Sequence, residues 1–132
     1  LSGLVKSYDT PFGGVLVEAE IFGLPDISQP GSSNFYAFHI HENGDCSDRF
    51  SHTGDHFNPT SAPHPQHAGD MPPLLANQGY AWLSFYDKRF TVAEIMGRSV
   101  VIHSQRDDFT TQPAGGAGTK IGCGVIMPAR GF

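Results

Sequence analysis

The sequence predicts an all-β sandwich or barrel. No segment of the 132 residues shows helical periodicity beyond two turns, whereas short apolar–polar alternations recur between clusters of Gly, Pro, Asn and Asp. Two long stretches, residues 42–75 and 104–119, have no periodicity, which is uncommon in a compact domain unless the loops are functional. The length suits one domain, residues 1–132. We therefore expect one domain of short strands that carries two functional loops.

Seven segments have the pattern of strands, and a turn-rich connection at residues 24–34 separates the second from the third. The clearest is 14–22, in which Val15, Val17, Ala19 and Ile21 alternate with a partly polar face. The predicted strands cover residues 3–8, 14–22, 35–41, 79–86, 90–95, 98–103 and 120–127.

The predicted strand at residues 35–41 presents two histidines on one face. Because side chains alternate along a strand, His39 and His41 project to the same side, roughly 6.5–7 Å apart along the backbone. Phe38 and Ile40 lie on the other side and are expected to build the core. One face of this strand thus offers two nitrogen ligands, while the other is hydrophobic.

Six of the seven histidines lie between residues 37 and 70, and an aspartate closes this stretch. They are His39, His41, His52, His56, His64 and His67, followed by Asp70. His56, His64, His67 and Asp70 make a closed three-nitrogen, one-carboxylate set that suits tetrahedral Zn²⁺. His39, His41 and the distant His103 offer an all-nitrogen set that suits copper. Exposure in a surface loop is the usual fate of a single histidine, but it does not account for six in this arrangement.

Composition and charge limit the partners. Thirteen acidic against eight basic residues give a net charge of -5, and no basic run is present, which argues against nucleic acid or an anionic membrane. No apolar run reaches the roughly 18 residues that a membrane helix needs. The two cysteines, Cys46 and Cys123, are either buried free thiols or a disulfide. Such a disulfide would be worth about 4–5 kcal/mol on the chain-entropy model and would indicate an oxidising compartment.

Five motifs in a fixed order carry a resemblance to a known family: FHIH, GDHFNPT, HPQHAGD, VVIHSQRDD and GTKIGCGVI. Together they resemble the bacterial branch of the copper/zinc superoxide dismutase family, over about residues 3–126. The resemblance implies the family's Greek-key β-sandwich or barrel. It also implies an enzyme that dismutates superoxide to dioxygen and hydrogen peroxide by a redox-cycling copper, bridged through a histidine to a zinc.

The resemblance assigns a role to each matching residue. It implies copper ligands at His39, His41, His56 and His103, and zinc ligands at His56, His64, His67 and Asp70, with His56 as the bridge. Asp107 matches the carboxylate that ties His39 to His64 and fixes the orientation of their rings. His52 and Asp108 match no ligand and are expected on the surface. Cys46 and Cys123 match the family's disulfide, which implies an extracytoplasmic (secreted, periplasmic or cell-envelope) location.

The sequence departs from the family in three places. Lys120 stands where the family commonly has the arginine beside the copper channel, so the positive charge is kept but the bidentate fork is not. We expect a working, slower and more salt-sensitive site with Lys120 as a catalytic residue. The loop at 104–119 lacks the charge cluster of eukaryotic members, which leaves Lys120 and Arg106 as local positive charges for steering superoxide.

The third departure is that the family's first strand has no counterpart before Leu1. We expect seven strands and an open sheet edge, and an unpaired edge invites association. The protein is therefore predicted to be a monomer, trimmed from a longer precursor, or a homodimer formed through that edge. The alternative to an enzyme is a non-catalytic relative that binds zinc only or buffers copper, and the filled set of copper positions weighs against it.

Overall fold

The computed structural model describes residues 1–25 and 34–129, so most of the turn-rich connection predicted at 24–34 lies outside the described residues. Within these ranges the chain forms eight strands and two one-turn helices. In chain order they are β1 (Ser2–Asp9), β2 (Val15–Phe22), β3 (Phe35–Tyr36), β4 (Phe38–His41), α1 (Ser47–Phe50), β5 (Leu74–Leu75), β6 (Ala81–Asp87), α2 (Val92–Ile95), β7 (Ser99–His103) and β8 (Lys120–Val125). The architecture is nearly all-β, as the sequence predicts.

Two antiparallel three-stranded sheets, β1-β2-β6 and β4-β7-β8, form the two walls, and a short β3-β5 pair adjoins them. The alternation in β2 has the predicted effect, because Val15, Val17, Ala19 and Ile21 are all buried. Phe38 and Ile40 of β4 reach the same core from the opposite wall. The imidazoles of β4 therefore point away from the hydrophobic core, as the pattern of the strand requires.

The strand predicted at residues 90–95 is wrong. This segment contains the helix α2, and Thr91 begins it with a capping box: the Thr91 hydroxyl accepts from the Glu94 amide, and the Glu94 carboxylate accepts from the Thr91 amide. Thr-x-x-Glu is a helix-start signal that outweighed the β-branched character of the segment. The strand predicted at 35–41 is divided at Ala37 into β3 and β4.

β1 and β8, one outer strand of each wall, do not pair with each other within the described residues. β1 pairs only with β2, and β8 pairs only with β7. Between these two edges lies a cleft of about 850 Å³, lined by β1, β8 and core side chains such as Ile102. Leu4 on β1 is 58% exposed, and Met127 beyond β8 is 66% exposed. The expected open edge is therefore present.

The two long loops cover the face of the β4-β7-β8 sheet that points away from the core. Isolated bridges join His41 to His56 and His39 to Asp70, so the first loop lies along β4. The second loop connects β7 to β8 and returns through backbone hydrogen bonds such as Ser104 N–H to Thr119 O. Neither helix in the described ranges is long and apolar enough to cross a membrane.

Candidate metal centre

Strands β4 and β7 position three histidines on one face. His39 and His41 lie on β4, and His103 ends the neighbouring β7. All three are at most 3% exposed. The His41 Nδ1–H donates to the Gly54 carbonyl at 2.8 Å, which leaves His41 Nε2 facing His103 Nε2 at 3.2 Å. Backbone hydrogen bonds join β7 to β4 on one side and to β8 on the other, and they fix this part of the site.

The first loop brings four more candidate ligands to the same place. His56, His64, His67 and Asp70 are all at most 7% exposed. The Asp70 carboxylate lies 2.8 Å from His56 Nδ1, 3.0 Å from His64 Nδ1 and 3.1 Å from His67 Nδ1. A carboxylate surrounded by three imidazole nitrogens is a donor set suited to zinc.

Several ring nitrogens in this centre are buried and have no hydrogen-bond partner in the part of the chain that the structure describes. They include His39 Nδ1, His56 Nε2 and His64 Nδ1. His64 Nδ1 is close to Asp70 but is not aligned to donate to it. Buried polar atoms are normally paired. Nitrogens 3.2 Å apart match the edge of a tetrahedron of about 3.3 Å, which follows from metal–nitrogen distances of about 2.0 Å. The donor atoms therefore fit bound metal ions.

The described residues contain two overlapping sets of potential metal ligands. Within each set, the ligand atoms all lie within 4.8 Å of one another. One is His39, His41, His56 and His103, the set predicted for copper. The other is His39, His56, His64 and Asp70, which differs from the set predicted for zinc by holding His39 in place of His67. His39 Nε2 is already hydrogen-bonded to Asp107. His67 Nδ1, in contrast, lies 3.2 Å from His56 Nδ1 and contacts Asp70.

Asp107 connects the two sets. Its Oδ2 accepts from His39 Nε2 at 2.8 Å and its Oδ1 accepts from His64 Nε2 at 2.7 Å. Burial would raise the pKa of Asp107, but the hydrogen bonds from His39 and His64 outweigh it and hold the pKa at about 2. The carboxylate is therefore ionised, and it fixes which nitrogen of each ring carries the proton.

Four of the imidazoles, those of His39, His41, His67 and His103, are held in the neutral form. Burial lowers the pKa of His41 and of His103 to about 3, and it lowers those of His39 and His67 in the same direction. For Asp70, burial acts in the opposite direction, but hydrogen bonding and charge from His56 lower its pKa overall. Neutral imidazoles and an ionised carboxylate are the protonation states that bind metal ions.

Lys120 approaches the centre from the start of β8. Its Nζ donates to Thr53 Oγ1 at 2.6 Å and to the Phe50 carbonyl at 3.4 Å. Burial lowers its pKa, although Asp55 acts against the shift. Thr53 directly precedes Gly54, whose carbonyl accepts from His41 Nδ1, so the ammonium lies on the His41 side of the centre.

The structure contains the disulfide between Cys46 and Cys123, with Cα atoms 5.8 Å apart. This excludes the alternative of two free thiols. Cys46 lies in the first loop and Cys123 in β8, so the bond joins the loop that carries Thr53 to the strand that carries Lys120.

Three other residues from the sequence analysis lie outside the centre. The His52 side chain is 55% exposed and lies 3.4 Å from Asp48. Asp108 is exposed and accepts from the amides of Thr110 and Thr111 within its own loop. Arg106 is exposed on the surface beside Phe109.

Sequence reasoning missed the residues that hold the loops in place. Gln112 pairs with the backbone of His64 in both directions, at 2.8 and 2.7 Å, and Arg89 donates to the carbonyls of Pro65 and His67. A Cβ on Gly115, which has φ 74°, would lie 2.0 Å from Asp107 Oδ1. The Gly-Gly pair was the only sequence signal among these, because the other contacts depend on distant segments.

Comparisons with known proteins give the family. The model of the copper/zinc superoxide dismutase family matches residues 2–126. A Cu-Zn superoxide dismutase of Arabidopsis thaliana is 36% identical over 111 residues, which cover 72% of this chain and 68% of that protein. One from Aquifex aeolicus is 36% identical over 130 residues, covering 86% and 72%.

A solved structure agrees with these matches. A SOD-like protein from Bacillus subtilis, crystallised as a double mutant, superposes with a TM-score of 0.81 at 28% identity. The match covers 96% of this chain and 89% of that one. The strand pattern, the paired histidine sets and the family match over nearly the whole sequence agree, and the chain belongs to the copper/zinc superoxide dismutase family.

Proposed function

We propose that this protein catalyses the dismutation of superoxide, converting two superoxide anions and two protons to dioxygen and hydrogen peroxide. The observation that carries the proposal is the position of His56 between two sets of donor atoms. Its Nε2 is buried and unpartnered, while its Nδ1 lies beside Asp70 and His67. An imidazole with both nitrogens directed at donor sets supports a bridge between two metal ions.

Copper would be held by the all-nitrogen set, which is His39, His41, His56 and His103. Neutral imidazole nitrogens are suitable copper ligands. The free nitrogens support this assignment, because His39 binds Asp107 through Nε2 and keeps Nδ1 free. His41 likewise binds Gly54 through Nδ1 and keeps Nε2 for the metal.

Zinc would be held by His56, His64, His67 and Asp70. The close contacts of Asp70 with all three rings support this set. We choose His67 over His39 as the third nitrogen because the second nitrogen of His39 is engaged by Asp107. A carboxylate with three imidazoles forms the closed, four-coordinate arrangement of structural zinc sites.

The residues of the chain would orient the reactants and handle protons. When bound, copper supplies the one-electron oxidation and reduction, and zinc supplies a fixed positive charge beside it. His56 Nε2 has no hydrogen-bond partner among the described residues, so it would be available either to copper or to a proton destined for the peroxide product. Lys120 would place a cation on the His41 side of the centre, through its hydrogen bond to Thr53, where it favours the approach of an anion.

The competing function is binding of zinc or copper without catalysis. One structural relative, from Bacillus subtilis, is described as a SOD-like protein, so similarity to this family does not by itself establish catalytic activity. The complete copper set in the described residues favours the enzyme. A zinc-only protein has no need of a second, all-nitrogen set that shares one ring with the first.

Metal content and superoxide consumption test the proposal together. The purified protein is loaded with zinc and then copper, and both are measured by mass spectrometry. We expect one of each per chain and rapid consumption of superoxide, which His103→Asn abolishes while keeping zinc. Lys120→Gln should lower the rate several-fold and flatten its salt dependence, whereas Lys88→Gln, an exposed control, should not. Full copper occupancy without superoxide consumption would rule out the enzyme.

We further propose an extracytoplasmic location and association through the open edge. The disulfide supports an oxidising compartment.

The exposed apolar side chains along β1 and β8, together with the unpaired edges, support pairing with a second copy. Light scattering at several concentrations should detect a dimer that Leu4→Lys weakens, and a monomer at all concentrations would exclude association through this edge.

A further inference from the structure

We propose that Thr53 is a positioning residue whose hydroxyl holds the Lys120 ammonium at the copper side of the centre. The inference rests on the proposed function for its purpose, but the contact itself is a property of the chain. Thr53 is fully buried, at 0% exposure, although it lies in a loop and carries a polar side chain. Its hydroxyl and Lys120 Nζ are 2.6 Å apart.

The chemistry of the three groups fixes the direction of each hydrogen bond. An ammonium can only donate and a carbonyl can only accept. Lys120 Nζ therefore donates to Thr53 Oγ1, and the Thr53 hydroxyl donates onward to the Phe50 carbonyl at 3.2 Å. The same carbonyl also accepts from Nζ at 3.4 Å. The hydroxyl is thus oriented by Phe50 to present a lone pair to the ammonium.

The backbone around Thr53 is held at several points. The Thr53 carbonyl accepts from the Asn43 amide at 3.0 Å. The following residue, Gly54, accepts from His41 Nδ1, so neighbouring residues hold Lys120 and a predicted copper ligand. A β-branched side chain such as threonine is also restricted at χ1. Thr53 therefore fixes the ammonium relative to His41 rather than leaving it on a mobile loop.

The need for such an anchor follows from the chemistry of lysine. An arginine presents a rigid planar fork of donors, whereas a lysine is a point charge on a flexible four-carbon stem. Without an acceptor in the protein, a half-buried ammonium would extend towards water, which solvates it strongly. Thr53 supplies the closer of the two protein acceptors, at 2.6 Å against 3.4 Å for the Phe50 carbonyl. The charge then stays on the His41 side of the centre, where an anion would bind.

The experiment measures how readily Lys120 reacts, without any metal. The metal-free protein is treated with an amine-acylating reagent, and peptide mass spectrometry gives the rate at each lysine. The exposed Lys6 and Lys88 serve as internal references. We expect Lys120 to react about tenfold faster in Thr53→Val, an isosteric change that removes the acceptor, because a hydrogen bond to a charged group is lost. Thr53→Ser should restore the slow rate.

A second measurement tests the consequence in the copper- and zinc-loaded protein. Titration with azide, followed by the copper absorption band, should show several-fold weaker anion binding in Thr53→Val and recovery in Thr53→Ser. Equal acylation of Lys120 in wild type and Thr53→Val, at unchanged reference rates, would overturn the inference. Should the valine variant fail to fold, Thr53→Ala is compared with Thr53→Ser by the same two measurements, and equal results overturn the inference.

These outcomes are separate from those of the proposed function. If the protein does not consume superoxide but shows the acylation difference, the proposed enzymatic activity is wrong and the positioning role of Thr53 is supported. If the protein consumes superoxide but shows no acylation difference, the proposed activity is supported and the positioning role of Thr53 is wrong. The melting temperature of each variant checks that its fold is retained.

Discussion

The two sides of His56 are built in different ways. On one side, His39, His41 and His103 belong to strands whose backbone hydrogen bonds fix them. On the other, the residues come from a long loop and include a carboxylate, Asp70. The strand side keeps its geometry through the sheet, whereas the loop side depends on side-chain contacts and on charge. The difference indicates that metal binding should order the loop side more than the strand side.

The largest expected effect comes from the carboxylate that only the loop side has. Asp70→Asn removes its negative charge and should lower zinc affinity by more than about 100-fold, beyond the 10–100-fold typical of a residue outside the coordination sphere. Competition with a chromophoric chelator measures this affinity. His103→Asn is the matched control on the strand side, and its zinc affinity should stay within a few-fold of wild type.

Loss of the Asp107 carboxylate, which links the two sides, should weaken metal binding on both sides. Asp107 accepts from His39 and from His64, so Asp107→Asn should weaken both copper and zinc binding by about 10–100-fold. Asp108→Asn, next to it but exposed, should change neither. Separate chelator titrations for each metal decide the matter. A loss confined to one metal would mean that the two sides are oriented independently.

Acid should destabilise the metal-free protein through the buried rings of the strand side before it protonates the Asp107 carboxylate that links the two sides. Burial lowers the pKa of His41 and His103 from 6.5 to about 3, so the unfolded chain binds protons first as the pH falls. Their contribution to stability is complete above pH 6.5 and is lost towards pH 3, by up to about 1.4 kcal/mol per pH unit for each group. The Asp107 contribution, with a pKa of about 2, is lost only below about pH 4.

Urea unfolding in the presence of a chelator, between pH 7.5 and 4.5, measures this dependence. We expect the free energy of unfolding to stay nearly constant from pH 7.5 to about pH 6.5 and to fall at lower pH. His103→Asn removes one titrating group and should reduce the slope, whereas His52→Asn, on the surface, should leave it unchanged. A flat profile would show that the strand-side rings are protonated as readily in the folded chain as in the unfolded one.

The same contrast explains what the sequence could predict. The strand side follows from local pattern, since alternation alone places His39 and His41 on one face and Phe38 and Ile40 in the core. The family motifs supplied His103, Asp107 and the disulfide partner, which lie far away in the chain. Each carries a recognisable neighbourhood of residues, so the resemblance could locate them.

The contacts that fasten the loops could not be predicted in this way. Gln112 is 48 residues from His64, and Lys120 is 67 residues from Thr53. No periodicity or motif connects such pairs, because they arise only when the folded walls bring the loops together. The error at residues 90–95 has a local cause instead: the β-branched and apolar residues favour a strand, but the Thr91-x-x-Glu94 capping box in the same segment begins a helix.

The smallest expected effect tests whether side-chain contacts hold the loop side. Gln112→Ala removes both hydrogen bonds to the His64 backbone and should cost about 1–2 kcal/mol in the metal-free protein. Because the bonds order the loop before metal arrives, zinc affinity should fall by a few-fold while copper affinity stays unchanged. Gln66→Ala is the control, because Gln66 is exposed on the loop that carries His64. An equal loss of zinc affinity and copper affinity would mean that the loop and the strands are ordered as one unit.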